Sequence, residues 1–272
     1  MFSHPENADI PAREPAPGAI RSVDKVVDIL ELLGRESRGL PISKLAGRLQ
    51  LNVSTTHHLL ATLKARGLVA QDERTKVYRI GSRLVSLVSQ FLLGTDLYPA
   101  AVSAVDELRE VSGETSYLSV MQNGEINVII ALTGSRPVQA RRMHRTSQSN
   151  IHSTASGKLL LAFQPPEQAA TLLAAVDRPQ FTPHTITDLD ELLRELPSIR
   201  ARGYALDREE DYIGVQCVAA PVFDGNGDCV ASVSISYPVA PAERTDELIR
   251  LVSDAADKIS ANLGAVPVRS TA

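Results

Sequence analysis

The apolar spacing of residues 20–80 restricts the fold more than any other feature of the sequence. It follows a helical period in three short segments and then alternates in two. The first predicted helix ends at Gly34, the second begins at Pro41, and the third covers residues 54–66 and ends before Gly67. The residues predicted to face the core are Val23, Val26, Val27, Leu30 and Leu33 in the first helix, Ile42, Leu45 and Leu49 in the second, and Leu59, Leu60 and Leu63 in the third.

Two short strands follow these helices. Residues 68–71 and 77–80 are predicted to pair around the polar turn 72–76. Three short helices and a hairpin predict a winged helix-turn-helix, whose third helix enters the major groove of DNA. A further apolar stripe predicts a linker helix that also makes a dimer contact, with packing on its own chain as the alternative. This stripe consists of Leu84, Leu87, Val88, Phe91 and Leu92.

The charge distribution supports a DNA-binding segment. Residues 20–83 contain twelve Lys or Arg against six Asp or Glu, whereas the whole chain has a formal net charge of −4. Such asymmetry favours a module that binds a polyanion, although a chance excess of solvated charges is the alternative. With the leucines of the third helix inward, its hydroxyls and imidazoles are placed to meet base edges and phosphates. The predicted DNA contacts are Lys44, Ser54, Thr55, Thr56, His57, His58, Lys64, Arg74, Lys76 and Arg79.

Other functions of the N-terminal segment are disfavoured. His57 and His58 do not form a predicted metal site, because adjacent helical residues point about 100° apart and neither has a histidine at i+4. No apolar run approaches the roughly 18 to 20 residues of a membrane-spanning helix, and residues 1–19 lack the features of a signal peptide. We therefore expect a cytoplasmic protein with tails at residues 1–19 and 266–272.

Residues 98–265 mix helices and strands without regular alternation. Strands are predicted at 115–122 and 126–132, joined at Asn123-Gly124, and at 215–223 and 228–237 around the sequence DGNG. Helices are predicted at 99–113, 154–163, 166–176, 188–202 and 241–263. This order predicts an α+β domain with an antiparallel sheet.

The DGNG hairpin permits a prediction of strand register. Pairing Phe223 with Asp228 places Cys217 opposite Ser234. One face then carries Cys217 with Ser232, Ser234 and Ser236, while Cys229 points to the other face, which excludes a disulfide within the hairpin. A solvent-exposed serine face is the alternative. A helix beginning near Thr154 would present the backbone N–H groups of Ala155, Ser156 and Gly157 to a carboxylate or phosphate.

Known catalytic patterns are missing from this second segment. Gly157-Lys158 is not part of a P-loop, because His152 stands where that motif needs glycine, and no G-x-S-x-G or zinc-ligand spacing occurs. The sequence therefore predicts a small-molecule pocket without a metal, cofactor or catalytic machinery. Two alternatives stay open: an enzyme that uses Cys217 as nucleophile with His152 as base, and a constitutive DNA-binding protein whose second domain serves only assembly.

Several motifs together resemble the IclR family of bacterial transcription regulators. They are RSVDKVVDILELL, STTHHLLATLKARGLV with YRIG, HSTASGKLLLAF, and GYALDREEDYIGVQCVAAPVFDGNGDCVASVSIS. The resemblance implies a winged-helix domain at residues 20–80, a linker helix at 81–97 and a GAF-like effector domain at 98–265, assembled as a dimer or a dimer of dimers. It places effector contacts at Ala155, Ser156, Asp207, Cys217, Ser234 and Ser236.

The chain departs from the family pattern in two places. His58 stands where many members have arginine, and Ala155-Ser156 replaces two apolar residues. The resulting prediction is a regulator that binds a palindromic operator and responds to a hydroxy or keto monocarboxylic acid. Repression is favoured over activation. We expect the acid's carboxylate near Ser156, Ser234 and Ser236, and its hydroxyl at Asp207. The basic stretch from Arg141 to Arg145 either borders this pocket or is a solvated patch.

Overall fold

The computed structural model describes residues 20–36, 38–93, 96–122, 124–136 and 150–265, with the backbone alone at 89–93. The chain divides into two compact units, Met1–Gly94 and Thr95–Ala272. Both predicted tails, Asn123, the basic stretch from Arg141 to Arg145, and the side chains of Phe91 and Leu92 lie outside the described residues.

The first unit has the predicted helices and hairpin. Its elements are α1 (Arg21–Arg35), β1 (Leu40–Pro41), α2 (Ile42–Arg48), α3 (Val53–Ala65), β2 (Val69–Gln71), β3 (Val77–Ile80) and α4 (Ser82–Leu93). The strands form an antiparallel sheet of order β1-β3-β2. The sequence did not predict β1, because two residues between helices carry no alternating pattern.

The core of the first unit confirms the predicted inner faces of α2 and α3 but corrects that of α1. Leu45 and Leu60 are fully buried, and Leu63 is nearly so. In α1 the fully buried residues are Ile29 and Leu32, whereas Val23 and Val27 are 54% and 42% exposed. The other elements of this unit pack against the C-terminal half of α1, so the valines of its first turns extend beyond the core.

The second unit contains α5 (Leu97–Ser112), β4 (Thr115–Gln122), β5 (Glu125–Leu132), α6 (Ala155–Ala162), α7 (Pro166–Ala175), α8 (Leu189–Arg202), β6 (Ala205–Arg208), β7 (Val215–Phe223), β8 (Cys229–Pro238) and α9 (Ala242–Asn262). The sheet is antiparallel throughout, with strand order β5-β4-β8-β7-β6. The predicted α+β class is therefore correct, and the predicted helices and strands occur within a few residues of their expected ends. The short edge strand β6 was not predicted.

Helices cover both faces of this sheet. Val218 and Ala220 of β7 belong to the hydrophobic cluster of α5 and α9, and Cys217 and Ala219 belong to the cluster of α6, α7 and α8. Because successive strand residues point to opposite faces, the serines of β8 that share the Cys217 face lie beneath α6. The solvent-exposed alternative for this serine face is therefore wrong.

The predicted register of the β7–β8 hairpin is wrong by two residues. Cys217 pairs with Ser236, not with Ser234, and Ala219 pairs with Ser234. The turn begins after Phe223, is closed by hydrogen bonds between Asp224 and Asp228, and has an irregular register at its start. A shift of two residues keeps every side chain on its predicted face, and Cys217 and Cys229 form no disulfide with each other.

Candidate nucleic-acid interface and effector site

The recognition helix α3 begins at Val53, one residue before its predicted start. The Asn52 side chain caps it by accepting a hydrogen bond of 2.7 Å from the Thr55 backbone N–H. Ser54, His57 and His58 are exposed, and Thr55 is partly exposed. These side chains lie away from the buried leucines, so the predicted polar face exists and is accessible.

Thr56 does not belong to that face. Its side chain is fully buried, and its hydroxyl donates a hydrogen bond of 3.0 Å to the backbone carbonyl of Asn52. Thr56, Leu60 and Leu63 share one side of the helix because they are spaced by four and three residues. The structure therefore removes Thr56 from the predicted DNA contacts.

The hairpin turn is held by two acidic residues. Asp72 accepts hydrogen bonds from the backbone N–H groups of Thr75 (2.7 Å) and Arg74 (3.0 Å), and these bonds, that of Thr75 first, lower the pKa of its carboxyl group. Glu73 lies between Lys64 of α3, at 3.2 Å, and Lys76 of the turn, at 3.3 Å. Hydrogen bonds from Lys64 and then Lys76 lower the pKa of Glu73.

Glu73 was not among the predicted site residues, yet it pairs with two of the predicted DNA contacts, Lys64 and Lys76. The sequence shows an acidic residue in a basic turn but does not show that Lys64, on another element, reaches it. The remaining predicted cations of this unit, Lys44, Arg74 and Arg79, are exposed, and the Arg79 Nε donates to the carbonyl of Arg38 at 3.1 Å.

In the second unit, α6 begins as predicted. The Thr154 side chain caps it by accepting a hydrogen bond of 3.1 Å from the N–H of Gly157. The Gly157 amide is therefore occupied, whereas the amides of Ala155 and Ser156 have no acceptor among the described residues. A Cβ atom at Gly157 would stand 2.3 Å from the carbonyl oxygen of Ile151, so glycine permits the preceding loop to pack closely on this helix.

Cross-strand partners form three rows on the sheet face beneath α6. We name them the cysteine row (Thr115, Ser236, Cys217 and Asp207), the tyrosine row (Tyr117, Ser234, Ala219 and Ala205) and the serine row (Ser119, Ser232 and Pro221). The rows bring together the predicted effector residues Asp207, Cys217, Ser234 and Ser236. The α6 residues Ala155 and Ser156 are equally buried above them.

Direct hydrogen bonds connect these residues. The Ser156 hydroxyl donates to the Ser234 Oγ at 3.1 Å, and the Tyr117 and Ser236 hydroxyl oxygens are 3.3 Å apart. Tyr117 was not predicted as a site residue. The alternation of TSYLSVMQ places Thr115, Tyr117 and Ser119 on one face, but only the folded sheet shows that β4 lies beside β8.

Asp207 has a structural contact in addition to its predicted role. It is buried, and its Oδ1 accepts hydrogen bonds from the N–H groups of Glu210 (2.7 Å) and Asp211 (3.4 Å). Asp211 in turn accepts a hydrogen bond of 3.2 Å from the hydroxyl of Ser153, just before α6. The Asp207 carboxylate therefore holds the loop after β6, and Asp211 of that loop holds the segment just before α6.

A buried ion pair links α6 to the loop after β6, and the same lysine also reaches α8. The ammonium of Lys158 lies 2.6 and 2.8 Å from the two oxygens of Glu210, and 3.3 Å from the Glu195 carboxylate on α8. Lys158 and Glu210 are 1% and 5% exposed. Burial raises the pKa of Glu210, and the neighbouring Lys158 opposes this change. The pair connects α6 to the loop after β6.

The groups that this site offers to a ligand are hydrogen-bond donors and acceptors. The part of the chain that the structure describes holds no cluster of three or more His, Cys, Asp or Glu arranged for a metal ion. None of its described helices is long and apolar enough to cross a membrane. His152, the candidate base of the enzyme alternative, has its Nε2 3.1 Å from the carbonyl oxygen of Pro179, and its ring lies against Phe181.

A winged helix-turn-helix unit with an exposed polar recognition helix, joined to a separate α+β unit, is the architecture of a DNA-binding transcription regulator. Comparison with known proteins agrees. Residues 22–73 match the IclR helix-turn-helix domain, and residues 89–261 match the C-terminal domain of bacterial IclR transcriptional regulators. The chain belongs to the IclR family of bacterial transcription regulators, as the sequence motifs predicted.

Individual relatives cover nearly the whole chain. The HTH-type transcriptional regulator BhcR of Paracoccus denitrificans is 34% identical over 88% of this chain and 84% of its own. The crystal structure of the Thermotoga maritima IclR is 31% identical, covers 90% of this chain and 99% of its own, and has a TM-score of 0.73. Neither relative is named as an enzyme, so the comparisons favour a regulator over the enzyme alternative.

A third comparison shows the same fold at lower identity. An IclR homologue of Microbacterium hydrocarbonoxydans, crystallised with 4-hydroxybenzoate, is 22% identical, covers 89% of this chain and 98% of its own, and has a TM-score of 0.76.

Proposed function

We propose that this protein is a dimeric repressor that binds a palindromic operator, and that a small carboxylic acid bound between α6 and the sheet changes its DNA affinity. The observation that carries the proposal is the hydrogen bond between Ser156 of α6 and Ser234 of β8, beside two N–H groups at the start of that helix.

The exposed face of α3 supports the DNA-binding part of the proposal. Ser54, Thr55, His57 and His58 present short donors and acceptors, and the exposed Lys and Arg side chains of the same unit supply phosphate contacts. Two copies related by a two-fold axis bind half-sites about 34 Å apart or a multiple of that distance.

Exposed apolar side chains support a dimer. On α1, Val23 is 54% exposed, and on α4 Val85 and Val88 are 64% and 53% exposed. Apolar side chains at helical spacing on an exposed face are typical of contacts between chains. Helix α4 therefore makes the dimer contact, and the alternative that it packs on its own chain is disfavoured by these exposed valines.

The start of α6 supports a carboxylate ligand. N–H groups at a helix N-terminus attract an anion, and Ser156, in the first turn of α6, donates its hydroxyl to Ser234 at 3.1 Å. Asp207, at the end of the cysteine row, accepts a hydrogen bond from a ligand hydroxyl on that side of the carboxylate and disfavours a second carboxylate. The 4-hydroxybenzoate bound by the Microbacterium homologue makes hydroxybenzoates the first acids to test.

An effector regulates DNA binding only if it binds one arrangement of the dimer better than another. The hydrogen bonds between Ser156 and Ser234, and between Tyr117 and Ser236, are exchanged for bonds to the ligand, which changes the contact of α6 with β8 and β4. A tenfold change in DNA affinity corresponds to a coupling free energy of about 1.4 kcal/mol.

The test is DNA binding to the promoter region beside the protein's own gene, titrated with salt and then with hydroxybenzoates, keto acids and short carboxylates. We expect a steep salt dependence and an acid that lowers DNA affinity. Calorimetry on Ser234→Ala/Ser236→Ala then measures acid binding, with the exposed Ser103→Ala on α5 as control.

The double variant should lose most of its affinity for the acid while the Ser103→Ala control keeps it. Unchanged affinity in the double variant would show that the pocket is elsewhere. Binding of DNA without a response to any acid would favour a constitutive DNA-binding protein whose second unit serves assembly.

A further inference from the structure

The serine row contains two hydroxyls that the proposed carboxylate site does not use. Ser119 of β4 and Ser232 of β8 are directly paired across the two strands, and both are 0% exposed. Among the described residues, neither hydroxyl has a hydrogen-bond partner. Both lie on the face beneath α6, because each is two residues from a member of the tyrosine row.

A pair of buried hydroxyls without partners is unusual. Most buried polar atoms in folded proteins are hydrogen-bonded, and a specific exception calls for an explanation. Alanine in both positions would fill the same strand face without this cost. The other hydroxyls of the face have partners: Ser234 bonds Ser156 of α6, Ser236 bonds Tyr117, and Thr115 accepts from the Gly134 N–H.

The position of the pair defines a distance from the carboxylate site. Ser232 is two residues before Ser234 on β8, so the two side chains are separated by about 7 Å along the strand. A molecule whose carboxylate meets Ser156 and Ser234 therefore reaches Ser119 and Ser232 only if it carries a second polar group at about that distance. Two- and three-carbon acids are too short.

The chemistry of the row selects a neutral second group. A serine hydroxyl donates one hydrogen bond and accepts others, so the pair accommodates a hydroxyl or a keto oxygen equally well. The serine row itself consists of Ser119, Ser232 and Pro221, so it offers no opposite charge to a second carboxylate or an amine.

We propose that Ser119 and Ser232 bind the far end of the effector, and that this end is a neutral hydroxyl or keto group about 7 Å from the carboxylate. This inference rests on the proposed effector function. Met121, the next residue of β4 on the same face, is partly buried in the cluster beneath α6. Its unbranched side chain can change rotamer to accommodate the ligand.

Calorimetry on the full chain with 4-hydroxybenzoate, benzoate and pyruvate tests the inference. In 4-hydroxybenzoate the hydroxyl lies across the ring from the carboxylate, and benzoate lacks it. We expect the wild type to bind 4-hydroxybenzoate about tenfold more tightly than benzoate, as one or two hydrogen bonds would give. In Ser119→Ala/Ser232→Ala this preference should fall below about twofold while benzoate affinity is unchanged.

A second measurement separates ligand binding from a structural role. If the hydroxyls serve the ligand, the unliganded Ser119→Ala/Ser232→Ala variant melts at the wild-type temperature or above it, because unpartnered buried hydroxyls are removed. A lower melting temperature would mean that the hydroxyls support the free protein, and would overturn the inference. Ser103→Ala again serves as the control for the substitution itself.

Acid binding by the two double variants distinguishes a wrong far-end site from a wrong effector function. If Ser234→Ala/Ser236→Ala abolishes acid binding but Ser119→Ala/Ser232→Ala keeps the preference for 4-hydroxybenzoate, the far end lies elsewhere and the proposed function stands. The same holds if the wild type binds pyruvate or benzoate as tightly as 4-hydroxybenzoate. If no acid binds the wild type, both proposals are wrong.

Discussion

The two units place their polar residues in opposite environments. In the first unit the candidate site is exposed: Lys64 and Lys76 share Glu73 in solvent, and His57 and His58 project from α3. In the second unit the hydroxyls and charges are enclosed between α6 and the sheet. A long polyanion is bound through many exposed, salt-screened contacts, whereas a small ligand must replace specific buried hydrogen bonds. Substitutions should therefore affect mainly DNA binding in the first unit, and both stability and ligand binding in the second.

The largest expected effect is that of Lys158→Met. Removing this buried ammonium leaves the Glu210 carboxylate without its partner at 2.6 Å, and breaking such a pair costs about 3–5 kcal/mol. Urea denaturation of the second unit should show this loss. Lys64→Met, which breaks an exposed pair of the first unit, is the matched control and should change the unfolding free energy little.

Acid should partly reverse the Lys158→Met defect. Burial raises the pKa of Glu210, so the folded variant binds a proton more readily than the unfolded chain. Stability must then rise as pH falls from 7 towards the ordinary pKa of 4.5, because the folded state gains the proton first. Denaturation at several pH values checks this sign. In Lys158→Met/Glu210→Gln, which has no titrating carboxyl at this position, the pH-dependent recovery should be absent.

The next effect concerns the close packing at the start of α6. Gly157→Ala places a Cβ atom 2.3 Å from the Ile151 carbonyl oxygen. Because that oxygen belongs to the backbone, the clash is relieved only if the backbone moves. We expect a loss of about 1–3 kcal/mol in unfolding free energy together with weaker acid binding. Gly47→Ala, on a helix of the first unit with no atom near the added Cβ, should be tolerated. Equal melting temperatures for wild type and Gly157→Ala would argue against this packing.

A smaller effect is expected for Glu73→Gln, and it should appear in DNA binding alone. Without its carboxylate, Lys64 and Lys76 are free to contact phosphates, so DNA affinity at low salt should rise several-fold. The slope of log affinity against log salt should steepen by about 1 to 2 for the two cations. Glu243→Gln, exposed in the second unit, controls for net charge. A parallel change in both variants would refute a local role of Glu73.

The sequence predicts a large part of this molecule, for physical reasons that particular residues show. Apolar periodicity and helix ends such as Gly67 predict nearly every helix and the main strands. The face of Ser234 and Cys217 was predicted correctly because strand residues alternate, although the register was wrong by two. The register depends on how the turn at Asp224 closes, which DGNG alone does not determine.

Contacts between distant segments could not be predicted in the same way. Lys158 meets Glu210, Tyr117 meets Ser236, and Lys64 meets Glu73, in each case across elements that only the fold brings together. Thr56 was misassigned for a related reason. A short polar residue next to exposed ones has no sequence signal of burial, since its hydroxyl can be satisfied by the preceding turn of its own helix.

Thr56 and Ser54 lie two residues apart on α3, so they test most closely whether one side of this helix serves stability and the other serves DNA binding. Thr56→Val removes a buried hydroxyl bonded to the Asn52 carbonyl and should cost about 1 kcal/mol in stability while leaving sequence preference unchanged. Ser54→Ala changes an exposed side chain and should leave stability unchanged while altering affinity for one base position of each half-site. Denaturation and DNA binding to single-base operator variants measure both effects. If Thr56→Val alone altered base preference, the buried side of α3 would take part in recognition, and the division of the helix into a core face and a DNA face would be wrong.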